Sequence, residues 1–130
     1  MTSNLKLALG LLAGGLIGAG AAIGIHAQQS KTAPGYVIAE VEANDPEGMK
    51  LYGEKVPGTL APFNHHYVIA GNKVQALEGD APKGFVVEIA FDSVEKAREW
   101  YDSPAYAAIR PIRQKAATSR IFIVEGVPPQ

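Results

Sequence analysis

The sequence predicts an α+β domain in which two strand–helix–strand units build one antiparallel sheet with its helices on a single side. Three observations carry this. Four short stretches rich in β-branched and apolar residues recur at "YVIAEVE", "HHYVIAG", "FVVEIAF" and "SRIFIVEG". Between the first and second, and between the third and fourth, apolar residues return every three or four positions, as on one face of a helix. Pro46 and Pro104, each preceded by a residue suited to capping, mark helix starts inside these intervals.

Met1 to Ala27 reads apart from this pattern. Lys6 is its only charge, and Leu7 to Ile25 are Leu, Ala, Ile and Gly alone. A basic start, an apolar stretch and a small residue before the polar "QQSKTAPG" follow the order of an export signal, with cleavage expected after Ala27. An uncleaved anchor is the alternative, because the run is about 19 residues long, near a bilayer's span. Either way the expectation is an exported domain, periplasmic or secreted, touching a membrane only if residues 1–27 are retained. Residues 28–34 read as a polar leader and residues 35–127 as the folded domain.

Of 130 residues, 12 are Lys or Arg and 13 are Asp or Glu, for a formal net charge of −1. That balance leaves no basic footprint for nucleic acid or for an anionic membrane surface. Cysteine is absent, so no disulfide holds an exported domain of about 100 residues. Its core, or a core shared with a second copy, must do so.

The elements follow in order. Residues 36–42 form the first strand. Asp45 is a suitable N-cap with Pro46 at the first helical position. Met49, Tyr52, Val56, Leu60 and Phe63 then make an amphipathic stripe, with a bend expected at Pro57. "HHYVIAG" is the second strand. Gly71-Asn72 is a turn signal, and "KVQALEG" is expected to return as a short hairpin arm. Residues 85–91 form a strongly apolar strand. Asp92 with Glu95 suggests a capping box for the next helix, whose buried stripe is Val94, Ala97, Trp100 and Tyr101. Residues 119–126 close the sheet. The order β-α-β-β-α-β, with the arm as an insert, is the ferredoxin-like pattern, with sheet order 4-1-3-2.

Strand alternation assigns the two faces. Val37, Ala39, Val41, Phe85, Val87, Ile89 and Phe91 fit under the helices, and Ile121 and Ile123 share one face. The other side carries Tyr36, Ile38, Glu40, Val86, Glu88, Arg120, Phe122 and Val124. So large an apolar fraction on an uncovered face is unusual in a monomer. A second sheet packed on it would enclose a half-polar space.

The stretches "YVIAEVEANDPEGMKLYGEKVPGTLAPF", "VQALEGD" and "VVEIAFDSVEKAREWYDSPAYAAIRPIRQKAATSRIFIVEG" closely resemble the domain-of-unknown-function family numbered 1330, of the dimeric α+β barrel superfamily. The resemblance spans about residues 35–127. It rests on the Asp45-Pro46 start, the Leu-Glu-Gly at 77–79 and the "WYDSPAY" segment taken together. It implies a ferredoxin-like protomer whose sheets pair into a closed homodimer, and it implies no established reaction. His65-His66 departs from the small residues or glycine common there, and the export signal is extra. The family pattern also accounts for Ser103-Pro104. One helix ends near Asp102, because a residue before proline avoids helical geometry, and Ser103 caps a second helix. Tyr106, Ile109 and Ile112 then pack, with Arg110 and Arg113 expected on a neighbouring edge.

Candidate chemistry is sparse. Neighbouring residues on a strand face opposite ways, so His65-His66 cannot chelate one ion, and neither HxH nor HxxxH spacing occurs. No metal and no cofactor is expected: the chain has no Gly-rich phosphate loop, nucleophile elbow or Cys/His dyad. Glu40 and Glu88 fall on adjacent strands and one face. A carboxylate pair in a poorly hydrated space would raise one pKa, which suits proton abstraction, with His66 as a proton carrier. The plainer reading is an ion pair with Arg120 or with a partner's Arg110. Arg110 and Arg113, one turn apart and following Tyr106, could hold a carboxylate or phosphate through the guanidinium fork; the plainer reading pairs them with Glu99 and Asp102. Tyr36 joins the ligand-facing candidates. Trp100, Tyr101 and Tyr52 read as packing.

Two functions stand open on this evidence. One is a homodimer that binds a small apolar, aromatic or carbonyl-bearing molecule, with cofactor-free proton transfer or oxygenation inside the barrel. The other is a non-catalytic binding or structural dimer. A cavity between helices and sheet, or between two sheets, would discriminate them from a purely structural role.

Overall fold

The computed structural model describes residues 31–130. The expected export segment, residues 1–27, and the first residues of the polar leader lie outside the described residues. The elements are β1 (Gly35–Ala43), α1 (Pro46–Leu60), β2 (His65–Gly71), β3 (Phe85–Phe91), α2 (Val94–Asp102), α3 (Pro104–Ala116) and β4 (Ala117–Glu125). The four strands form one antiparallel sheet in the order β2-β3-β1-β4. This is the expected 4-1-3-2 arrangement read from the other edge. The domain is α+β with three helices.

The faces follow the alternation. Val37, Ala39, Val41, Ile89 and Phe91 are buried beneath the helices. Ile121 and Ile123 pack against the same core. Phe85 is the exception on that side, 43% exposed, because it opens β3 beyond the reach of α2. On β2, an irregularity between Tyr67 and Ile69 leaves Val68 without a partner on β3, as in a β-bulge.

An aromatic cluster anchors the helices. Trp100 stacks on Phe91 with ring centroids 5.6 Å apart and tilts against Tyr106 at 4.2 Å. The indole Nε1 donates to Thr59 Oγ at 3.0 Å, and that hydroxyl donates to the Val56 carbonyl at 2.7 Å. The buried polar atoms of this corner are thereby satisfied. The principal helical partner of α1 is α3, while α2 lies across β1, β3 and β4.

Ser103 joins α2 to α3 as the Ser-Pro pair requires. Its backbone is extended, with ψ 148°. Its hydroxyl donates to the Trp100 carbonyl at 2.7 Å and accepts from the Tyr106 amide at 3.2 Å. One side chain thus closes one helix and opens the next.

Three local expectations are corrected. Asp45 has extended backbone at the start of α1, but its side chain makes no capping hydrogen bond. The cap of α2 is Ser93, whose hydroxyl accepts from the Lys96 amide at 3.1 Å; Asp92 instead accepts from Asn64 at 2.7 Å. One residue of offset decides this, since a cap must sit directly before the first helical turn. Helix α1 includes Pro57, where a bend is expected, and runs on to Leu60. Pro57 and Gly53 are both exposed, so water can serve the carbonyl that the proline leaves without a donor. Residues 72–84 contain no strand, and the expected hairpin arm is an exposed loop with Leu77 93% accessible. Val74 is 40% exposed beside Ile69 and Phe85, but Leu77 has no surface within the protomer to rest on. Gly84 ends this loop at φ +72°, where a Cβ would run into the Val41 carbonyl.

Candidate functional site

Beneath α1 lies a cavity of about 300 Å³ between helices and sheet. Its floor is the covered face of the sheet, with Val37, Ala39, Val41, Val87, Ile89 and Ile121. Met49, Tyr52, Gly53 and Val56 of α1 form the roof. The single methyl of Ala39 on the floor leaves room for the cavity. Tyr67, Ala70 and Phe85 stand at the β2–β3 end. Tyr67 and Phe85 are partly exposed there, so this end forms the mouth.

The inner end of the cavity is polar. The hydroxyls of Tyr52 and Tyr106 lie 2.7 Å apart, one donating to the other. Their rings meet edge to face at 6.4 Å. Burial pushes the Tyr52 hydroxyl well above the ordinary tyrosine pKa of 10.0; Tyr106 adds to the rise and nearby Arg113 opposes it. Tyr52 therefore keeps its proton at neutral pH, and the pair of hydroxyls has one O–H left over to donate. Tyr67 is raised in the same direction, by burial and then by Tyr106.

Arg113 also lines this cavity. It is buried, with 5% of its surface accessible, and its Nε has no hydrogen-bond partner. The ion pairs among the described residues are Lys96–Glu99, Arg98–Asp102 and Arg120–Glu40, so no carboxylate pairs with it. The buried residues of α3 are Tyr106, Ile109, Arg113 and Ala116. Arg113 thus belongs to the core stripe and not to the neighbouring edge expected for it. Across Arg113 lies a second, more polar pocket of about 360 Å³, lined also by Tyr101, Gln114, Ala117, Ser119 and Ile121. The Ser119 hydroxyl is the other buried side-chain polar atom without a partner among the described residues.

The sequence candidates divide between the two faces. Tyr106 and Arg113 meet at the cavity. Arg110 turns outward, its guanidinium 4.6 Å from the centre of the Tyr101 ring. Neither arginine pairs with Glu99 or Asp102, because Lys96 and Arg98, on the same helix as these acids, reach them first.

Glu40, Glu88, Arg120, Tyr36 and His66 all lie on the open face. Glu40 stands directly opposite Arg120 on β4 and accepts from its Nε at 2.6 Å. Glu88 is opposite Ile38 and so is a diagonal neighbour of Glu40 on the same side. Neither carboxylate lines the cavity, which is on the other face. Tyr36 lies over the backbone of Gly126. His66 is exposed opposite Ala90, while His65 faces the other way with Nδ1 2.7 Å from the Phe63 carbonyl. Among the described residues no group of three His, Asp or Glu gathers at metal-binding distance.

Sequence reasoning missed Tyr52 as a polar group and Ser119 altogether. Both carried a signal: each is a hydroxyl placed in an otherwise apolar stripe. The cavity offers hydrogen-bond donors and one cation. None of its lining residues is a carboxylate or an imidazole, so its polar groups suit an electron-rich atom better than they suit proton abstraction.

Comparison with known proteins agrees with this architecture. The model of the DUF1330 family, a domain of unknown function, matches residues 34–127. No functionally curated protein matches the sequence. Among solved structures, a protein of unknown function from Rhodopseudomonas palustris is similar with a TM-score of 0.59 and 21% identity, over 81% of this chain and 93% of that one. SnoaB, a cofactor-independent oxygenase from Streptomyces nogalater, gives 0.53 and 10% identity over 74% and 95%. A dimeric ferredoxin-like protein of unknown function from Thermobifida fusca gives 0.51 and 18% over 75% and 95%. At these identities the likeness is one of fold.

Proposed function

Because the chain belongs to the DUF1330 family, whose description names no activity, we propose from its geometry that it binds a small apolar or aromatic molecule in the cavity beneath α1. The observation that supports this is an open space of about 300 Å³ with apolar walls and a polar inner end. A well-packed core of this size has little room of that kind, and convergent donors in an apolar pocket are the usual form of a ligand site. The ligand's apolar body would lie against Ala39, Val87 and Ile121, with an oxygen near the Tyr52–Tyr106 pair. Binding is favoured over proton abstraction, since the lining residues supply donors and neither a carboxylate nor an imidazole.

The same proposal includes pairing and export. The open face exposes Ile69, Phe122 and Val124 at 44%, 39% and 42%, and a second copy laid on it would bury roughly 1,500 Å² or more. The dimeric Thermobifida relative supports this at the level of fold. Phe122→Asp is expected to convert a dimer into monomer by light scattering; a wild-type monomer at micromolar concentration would remove pairing from the proposal. Export rests on the sequence of residues 1–27 alone, and mass spectrometry of exported material starting at Gln28 would establish cleavage.

Ala39→Leu tests the ligand site. Filling the cavity from its floor should hold or raise the melting temperature while abolishing the shift produced by bicyclic aromatic compounds such as 2-naphthol. No shift in the wild type, or an undiminished shift in the variant, would refute the cavity as the site.

A further inference from the structure

We infer that the ligand of this cavity is a monocarboxylate, held by Arg113. The inference rests on the cavity being a binding site and adds the charge of what it binds. Three observations support it. Arg113 is 5% exposed, lines the cavity and has no carboxylate partner among the described residues. Its Nε is buried without an acceptor, and the Ser119 hydroxyl, in the adjacent pocket that Arg113 also lines, is likewise buried without a partner. A buried guanidinium with an unsatisfied N–H at the wall of a cavity describes a site made for an anion that arrives from outside the fold. The fork of a guanidinium matches the two oxygens of a carboxylate.

The charge of the anion follows from the lining. Arg113 is the single charged residue among those that line the cavity, and the rest of the wall is apolar apart from the tyrosine hydroxyls. One fixed positive charge balances one negative charge. A phosphate monoester, near two charges at neutral pH, would bring an unbalanced charge into an apolar space. The tyrosines fit the same ligand. One of the two hydroxyls donates to the other, and the remaining O–H can serve a carboxylate oxygen that Arg113 leaves free. The apolar body would then extend along the sheet toward Tyr67 and Phe85.

The test compares two molecules of one shape. Titration calorimetry of the wild-type protein with naphthalene-2-carboxylate and with naphthalene-2-carboxamide separates charge from fit. The carboxylate is expected to bind at least tenfold more tightly than the amide. Arg113→Gln should erase that preference, weakening the acid at least tenfold and leaving the amide within twofold, and Arg113→Lys should restore part of it. Equal binding of the two molecules to the wild type would overturn the anion while leaving the cavity reading intact. Binding of neither would overturn both. Carboxylate binding that survives Ala39→Leu would place the anion elsewhere and also end the inference. The wild-type comparison decides the matter even if Arg113→Gln does not fold.

Discussion

The two faces of the sheet use charge in opposite ways. On the open face, Glu40 and Arg120 stand across adjacent strands and satisfy one another at 2.6 Å, with the arginine side chain 72% accessible. On the covered face, Arg113 is almost wholly buried and has no acid to answer it. An exposed pair is cheap to keep and contributes little. A buried cation without a partner is costly unless something compensates it. The contrast teaches where to look for function: the complete pair is an ordinary surface feature, and the incomplete group is the one that waits for a partner.

The largest expected difference between the faces is in packing. Phe91→Ala removes a ring that is 2% exposed and stacked on Trp100, and should cost about 3–5 kcal/mol in urea unfolding. Phe122→Ala on the open face should cost under about 1 kcal/mol in a dilute monomer. At concentrations where the proposed dimer forms, Phe122→Ala should add a concentration-dependent loss, and the absence of one would speak against pairing through this face.

Alkaline pH sharpens the comparison next. The Tyr52 pKa is raised in the folded state, so its contribution is complete below the ordinary value of 10.0 and is lost as pH climbs above it. There the unfolded chain releases a proton that the folded chain keeps. Stability should fall above pH 10 by at most about 1.4 kcal/mol per unit from this residue. Tyr52→Phe should be less stable at neutral pH through the lost hydroxyl pair, yet decline less steeply between pH 10 and 11. An unchanged slope would show that the hydroxyl is not buried as described.

The smallest effects belong to the carboxylates. Glu40→Gln and Glu88→Gln should leave thermal stability and aromatic ligand binding unchanged within error. Loss of ligand binding in either variant would move the site to the open face and reverse the comparison.

Much of this was legible in the sequence. The strand order follows from the β-α-β-β-α-β pattern, and the two faces and the Ser103 junction from local rules: alternation, helical spacing, and the geometry a proline imposes on the residue before it. The site was legible only in part. Tyr106, Ile109, Arg113 and Ala116 are spaced by three, four and three, which places Arg113 among core residues. Its charge argues for the surface, and that expectation prevailed until packing decided otherwise. Ser119 shares the inward rhythm of Ala117, Ile121 and Ile123 and could have been noticed for the same reason. The cavity had no sequence signal, because it depends on the space left between α1 and the sheet, a property of packing rather than of any residue pattern. Loop 72–84 carried a turn signal at Gly71-Asn72, but a returning strand needs a surface as well as a turn.

The unpaired residue on β2 has a consequence for what can enter. Strict alternation from Tyr67 would set Ile69 beside it over the cavity and send Ala70 to the far side. The extra residue at Val68 reverses the phase: Ile69 stands opposite Glu88 on the open face, and Ala70, opposite Val87, lines the cavity. A single methyl group therefore occupies the rim where a branched four-carbon chain would otherwise stand. The width of the aperture is set by backbone count as much as by side-chain choice, so a larger residue at position 70 would narrow the range of molecules admitted without touching the groups that hold them.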